Sequence, residues 1–537
     1  MRKISKIIVL LCLTILGFVS CKDLLDVDSE RLVFQNEYQM TSKNDTLYSM
    51  FGIYSQLQKL TNSYVLLGEL RGDLMDVTSN SGIYLKQIND FDVTSDNPFT
   101  NNIKDYYSVI NNCNYVINTI DTSVIYKSQK VMYRVYAAAK AVRAWTYMQI
   151  VLNYGSAVYY DKPILSLEVA RKSYNSFDIN GIAPLLIADL TPYKDIEKPK
   201  FGSIYDFNMS LATFPIRFIL GDLYLWTGKY EQAANEYHDL MVKNSNYITS
   251  TFKSYLSVVN NAFTGDATVN WFNMFYVANN SELITALPAS NEFSYVFQVD
   301  SLAKEYKIAV SSVAKNNWIS QHYVYSNTVD TLVDMRWVGS YYKNNITQGR
   351  VTTENDMIYK YRLMNPTTTK SKQIYIYRSA LLYLRYAEAV NRLGKPNLAL
   401  AVMKNGLSNA TILNNKFVPL SEKSTPLPNY MDFSDNRFVN NIGTKARGLG
   451  NVQLDTTFYR IPNYATSADP KGDSILYVEN MLVDELAHEM AFEGNRFQDL
   501  MRIAIRRDDN KFLADKVADK NPAVFNKLMT RANWFLK

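Results

Sequence analysis

Residues that could do chemistry are few in this 537-residue chain, and their spacing argues against the reactions they suggest. His488-Glu489 begins like a zinc-protease motif, in which two histidines one helical turn apart hold the metal and the glutamate acts as base. The second histidine would stand at position 492, which is Phe492. Gly228-Lys229 follows an apolar run, but Tyr230 comes next and the upstream glycine spacing is wrong for a loop that cradles phosphate. No G-x-S-x-G nucleophile turn occurs. Glu485 and Glu489 lie one turn apart on one helix face, whereas glycoside hydrolysis needs two carboxylates facing across a cleft. They read as solvated or paired with arginine. Arg71-Gly72-Asp73 spells a cell-adhesion tripeptide near an expected helix end and reads as coincidence. Cys113 falls in an apolar helical pattern, as a small buried side chain would. With 3 His in all, little remains for metal or acid–base work. No catalytic residue, metal site or cofactor is expected.

The elements that must position any site are helices. Leu47, Met50, Phe51, Tyr54 and Leu57 recur at intervals of three and four, as do Ile103, Tyr106, Tyr107, Ile110 and Ile117. Val131 to Leu152 is rich in alanine, which promotes helix and lets a neighbour approach closely; Tyr154-Gly155 gives a stop. The chain has 20 Gly and 15 Pro against 40 Tyr, which argues for long helices over a loop-rich β-sandwich. An apolar fraction of 47% and a charged fraction of 20% exclude global disorder. The net charge of +6 includes Arg2, Lys3 and Lys6 of the first twenty residues, which hold no acid. No clustered basic face is left for nucleic acid. Three Cys cannot build a disulfide framework.

Residues 1–20 read as a targeting leader. A basic start precedes the apolar stretch Ile7–Val19, too short to span a bilayer comfortably. Phe18-Val19-Ser20-Cys21 resembles a bacterial lipobox, with Phe18 in place of the usual aliphatic residue. An acylated Cys21 would tether an otherwise soluble domain, because two or more acyl chains hold stably where one holds marginally. Lys22-Asp23-Leu24-Leu25-Asp26 resembles the charged start of surface-exported lipoproteins.

Two segments carry a tetratricopeptide-like pattern. In the first, Leu220, Gly221 and Tyr224 precede Gly228, then Ala233 and Tyr237; Arg217 stands where the pattern prefers Trp. In the second, Tyr383, Ala387 and Val390 precede Gly394, then Ala399 and Met403. The Gly-to-Ala offset is the same in both copies. Stacked helical hairpins are therefore expected to form a scaffold. Between the copies, from about 247 to 372, the pattern gives way to a stretch rich in Asn, Ser, Thr and aromatics, expected as loops with short strands. A second irregular stretch runs from about 414 to 473. Both are expected as insertions on one folded unit spanning residues 21–537.

The segment Glu489-Met490-Ala491-Phe492-Glu493-Gly494-Asn495-Arg496-Phe497-Gln498-Asp499-Leu500 is similar to E-L-A-F-E-G-x-R-W-F-D-L, the C-terminal signature of the SusD/RagB family of Bacteroidetes. Ile110-Asn111-Asn112-Cys113-Asn114 resembles that family's I-N-N-A-N, and Tyr386-Ala387-Glu388-Ala389 its Y-A-E-A helix. With the lipobox and the hairpins, these occur in family order across nearly the whole mature chain. The resemblance implies a mainly α, non-catalytic lipoprotein on the outer-membrane surface. It implies that nutrient is captured and handed to a SusC-like TonB-dependent barrel, the nutrient being an oligosaccharide or, in the RagB-like branch, an oligopeptide. Glu493, Arg496 and Asp499, spaced by three and three, are expected to share a helix face as an ion-paired packing element.

Sugar rings stack their apolar faces on Trp and Tyr, and their hydroxyls need polar partners in a shallow site. Trp271, Trp318, Trp337 and Tyr323 in the irregular insertion are the ligand candidates, while Trp145 and Trp226, at helical spacing, read as core. Ile103 stands near where many relatives carry a Trp, close to the family's ligand face, and this favours the peptide alternative. A lipid-anchored glycan hydrolase is the reading from a different class.

Overall fold

The computed structural model describes residues 40–205, 207–243, 275, 282–289, 297–325, 328–332, 334, 336–348, 351–360, 373–448, 453–454 and 457–536. The leader and Cys21 lie outside the described residues. No helix among the described residues is long and apolar enough to cross a membrane.

The architecture is mainly helical. Helices α1 (Lys43–Glu69), α2 (Ile103–Thr119), α3 (Val131–Tyr154), α4 (Ile179–Leu190), α5 (Ile216–Trp226) and α6 (Tyr230–Val242) each pack on the next. After the long insertion the series resumes with α7 (Ser379–Arg392) and α8 (Pro396–Lys404); α6 packs directly on α7, so the hairpins α5–α6 and α7–α8 stack although the insertion separates them in sequence. Helix α9 (Pro470–Met490) covers α7 and α8, and α10 (Arg496–Arg507) returns to α1.

Local sequence explains these elements. Helix α3 is buried on every side from Ala137 to Asn153, its two cations in that stretch, Lys140 and Arg143, being paired with Asp189 of α4. It stops at Gly155, whose φ of +82° suits glycine. Both hairpins turn on a glycine in the same left-handed region, Gly228 (φ +75°) and Gly394 (φ +83°). Gly221 marks the closest approach inside the first hairpin: a Cβ there would stand 2.4 Å from the ring of Tyr237. Arg217, the departure from the repeat pattern, joins the two helices by an ion pair to Glu236 at 2.5 Å.

The insertion holds most of the strands. Leu283–Pro288 pairs with Gln373–Arg378, and Gln321–Tyr325 lies between Thr328–Leu332 and Gln453–Leu454. Tyr341–Gln348 and Val351–Ile358, two strands of 8 residues each, form a hairpin. All these pairs are antiparallel.

Helix α9 ends at Met490, and Phe492 (φ +69°) and Gly494 (φ +88°) turn the chain before α10 begins at Arg496. Glu493 therefore stands in a turn and does not share a helix face with Arg496 and Asp499. The ion pairing expected of the three is present. Glu493 meets Arg378 and Lys360, Arg496 meets Asp73, and Asp499 meets Arg385 and Arg502.

Candidate functional site

The residues with catalytic spacing are engaged in the interior. Glu485 and Glu489 are fully buried, facing arginine and lysine. Arg336 bonds Asp334, Glu485 and Glu489; Arg378 bonds Glu282, Glu489 and Glu493; Arg447 bonds Glu282 and Glu489. With Lys360 on Glu493 and Lys445 on Glu485, five cations balance five carboxylates. Burial alone would push Glu489 up; Arg447, Arg378 and Arg336 outweigh it and hold the carboxyl below its usual range. His488 is buried, within 3.0 Å of Gln321 Nε2 and 2.9 Å of the Asn317 carbonyl. Arg71 and Asp73 are buried too, out of reach of an adhesion partner. Among the described residues no group of His, Cys, Asp and Glu could hold a metal ion.

The ligand candidates from the insertion scatter. Trp271 lies outside the described residues, as does the ring of Tyr323, whose backbone is part of a strand. Trp318 and Trp337 come together on either side of Tyr341, with ring centroids at 5.9 and 5.2 Å. Trp337 is half-buried. Trp318 departs from the expectation of an open loop ring. It sits at 1% exposure on a short helix, Ser312–Ile319, capped by the Ser311 hydroxyl, and its ring packs toward Phe492. It has no face left for a ligand in this arrangement.

A more accessible set of rings lies on α2 and the loop it braces. Ile103, Tyr107, Asn111 and Asn114 follow one another at helical intervals of four and three, so they form one stripe. Ile103 is 37% exposed. Asn111 Nδ2 donates to the Ile164 carbonyl (3.1 Å), and the Ile164 N–H donates back to Asn111 Oδ1 (2.7 Å). Asn114 Nδ2 donates to the carbonyls of Tyr160 and Lys162, and Arg143 Nη1 donates to Asn114 Oδ1 at 2.6 Å. Tyr147 adds a bond in each direction to the backbone of Tyr160. The asparagines of the I-N-N-C-N segment thus fix the loop from 158 to 164.

A row of rings runs from α2 across that loop. Tyr107 and Tyr160 are stacked (centroids 6.0 Å, planes 19° apart), and Tyr174 stands 5.7 Å beyond Tyr160. All three are half-buried, and Asp161, Lys162 and Leu165 around them are exposed. Tyr107's hydroxyl accepts from the Val158 N–H at 2.8 Å. Burial raises the phenols of Tyr107 and Tyr160, so both stay neutral hydrogen-bonding groups near neutral pH. Rigid apolar faces beside polar loop groups suit a sugar ring better than an acid–base reaction. These rings are not among the residues expected from the sequence to meet a ligand. Tyr107, one turn from both Ile103 and Asn111, was the available signal; Tyr160 and Tyr174 are placed only by the folded loop.

No protein-family model matches the chain, and no curated protein matches it. Solved structures do. A SusD superfamily protein from Bacteroides thetaiotaomicron VPI-5482 is similar at 13% identity, with a TM-score of 0.59 over 86% of this chain and 89% of that one. A SusD superfamily protein from Bacteroides vulgatus ATCC 8482 gives 14% identity and a TM-score of 0.58 over 92% of both chains. A laminarin-binding SusD-like protein gives 15% identity and a TM-score of 0.55 over 93% of this chain and 96% of that one. Agreement of the backbone over nearly the whole length, at identities this low, leads to one conclusion: the chain has the fold of the SusD superfamily.

Proposed function

We propose that this protein is a cell-surface lipoprotein that captures oligosaccharide and passes it to a SusC-like TonB-dependent outer-membrane transporter, tethered through an acylated Cys21. It acts by binding and does no chemistry of its own. The observation that carries this reading is the row Tyr107–Tyr160–Tyr174, which runs from α2 across a loop fixed by Asn111 and Asn114. A platform already held in place loses little entropy when a sugar stacks on it. Carbohydrate is the ligand named for one protein of the same fold, and this supports the class without fixing the glycan. Trp337, Trp271 and Tyr323 remain candidates for further ring contacts from the insertion.

The oligopeptide alternative draws on Ile103, which puts an aliphatic side chain at the edge of this face. One experiment separates the readings. The purified mature chain is exposed to mixtures of glycans and of peptides, and both the retained and the released molecules are analysed. Intact glycans held by the protein, with affinity reduced about tenfold or more in Tyr174→Ala, support the proposal. Retention of peptides alone moves the ligand class to oligopeptides. Turnover of any glycan sinks the binding-only reading.

A further inference from the structure

Arg71 is a buried cation that bonds no anion among the described residues. It is 1% exposed. Nε donates to the Leu67 carbonyl at 2.8 Å, Nη1 to the Trp534 carbonyl at 3.1 Å, and Nη2 to Asn153 Oδ1. All three acceptors are neutral. A guanidinium has five N–H groups, so two are unused. The Phe497 ring, 4.4 Å from the guanidinium carbon, supplies only a cation–π attraction. Other buried arginines differ: Arg336, Arg378, Arg447, Arg496 and Arg502 each face a carboxylate. Taking a charge out of water is costly unless an opposite charge meets it. The cost shows in the group itself, since burial draws its pKa down to about 9.

Beside Arg71 lies a cavity of about 260 Å³. Ile88, Phe91, Val93, Phe535 and Leu536 give it apolar walls. Asp92, the one carboxylate among its described lining residues, has a side chain 70% exposed and is already ion-paired with Lys527 at 2.5 Å. The cavity thus combines a cation that meets no carboxylate among the described residues with walls that are apolar on one part and polar at Asn533 and Asp92 on another, and no residue of the tyrosine face contributes to it.

We propose that this cavity binds a small organic carboxylate, its anionic end paired with Arg71 and its apolar body against Phe91, Val93 and Phe535. The ligand completes the charge balance that the chain leaves open. This site stands apart from the glycan-binding reading and does not depend on it.

The test is calorimetric titration of the full mature chain with benzoate, and with benzamide as the neutral probe of the same shape. Benzoate is expected to bind saturably and at least about tenfold more tightly than benzamide. Arg71→Met is expected to abolish that preference. Because Arg71 also holds three neutral partners, a second variant leaves it in place: Val93→Glu puts a negative charge on the cavity wall and is expected to weaken benzoate about tenfold or more, with the melting curve still cooperative. Equal binding of the two probes, no benzoate binding at millimolar concentration, or benzoate binding indifferent to Val93→Glu each overturns the proposal.

Discussion

Glu69 Oε1 accepts a 2.7 Å hydrogen bond from the backbone N–H of Gly494, a residue far away in the sequence. The other carboxylate oxygen accepts from the N–H of Phe492 at 3.0 Å. The end of the first helix therefore holds the strained turn between α9 and α10, where Phe492 and Gly494 both have positive φ.

Burial raises the Glu69 pKa from 4.5 to about 7, against the smaller pull of the Gly494 and Phe492 amides. The folded state then holds a proton that the unfolded chain has released. Stability from this group is complete below about pH 4.5 and declines as pH rises toward 7, by a total of the order of 3 kcal/mol. Urea unfolding at pH 5 and pH 8 is expected to show a smaller difference in Glu69→Gln than in the parent chain. Identical slopes in the two proteins would refute the assignment.

Gly221→Ala is expected to destabilise by about 1–3 kcal/mol, because the new methyl must displace the Tyr237 ring that it would meet at 2.4 Å. Gly52→Ala in α1 is the control. Nothing lies within 4 Å of a Cβ there, so helix propensity alone acts, and stability should rise by up to about 1 kcal/mol. Denaturation midpoints of the two variants should move in opposite directions.

Arg378→Met would strand Glu282, Glu489 and Glu493 in the interior with one cation fewer. A loss of about 3–5 kcal/mol is expected, measured by chemical denaturation. The tyrosine row proposed to bind glycan shares no residue with this network, so any variant protein that remains folded should keep its affinity.

Asn111→Ala removes both bonds to the backbone of Ile164. Faster hydrogen exchange at the Ile164 amide is expected, with weaker glycan binding and little change in global stability. Unchanged exchange would mean that the loop is held without Asn111, by its other bonds to Asn114, Tyr147, Tyr107 and Arg143.

Cys21→Ala is expected to give a folded protein that no longer fractionates with membranes. Unchanged retention through a detergent-free wash would count against lipidation.

The helical scaffold was legible in the sequence because its signals are local. The matched offsets Gly228–Ala233 and Gly394–Ala399 describe two turns with the same backbone, and the alanines of α3 describe a helix surrounded by others. The charge network was not legible. Glu282 and Arg447, or Arg336 and Glu489, are separated by more than a hundred residues, and no periodicity links them. The same holds within the candidate site. Asn111 was visible as part of a motif, but its role appears only once Ile164 folds against it. Trp318 differs from the loop ring expected because the Ser311 hydroxyl caps a short helix, which turns the ring inward.

The five cations and five carboxylates around Glu489 lie where dissolved ions do not penetrate. Mobile electrolyte weakens attractions only where it can gather around them. Brine and dilute buffer should therefore find this interior equally cohesive, and outer pairs such as Lys511–Asp515 alone should soften as salinity climbs.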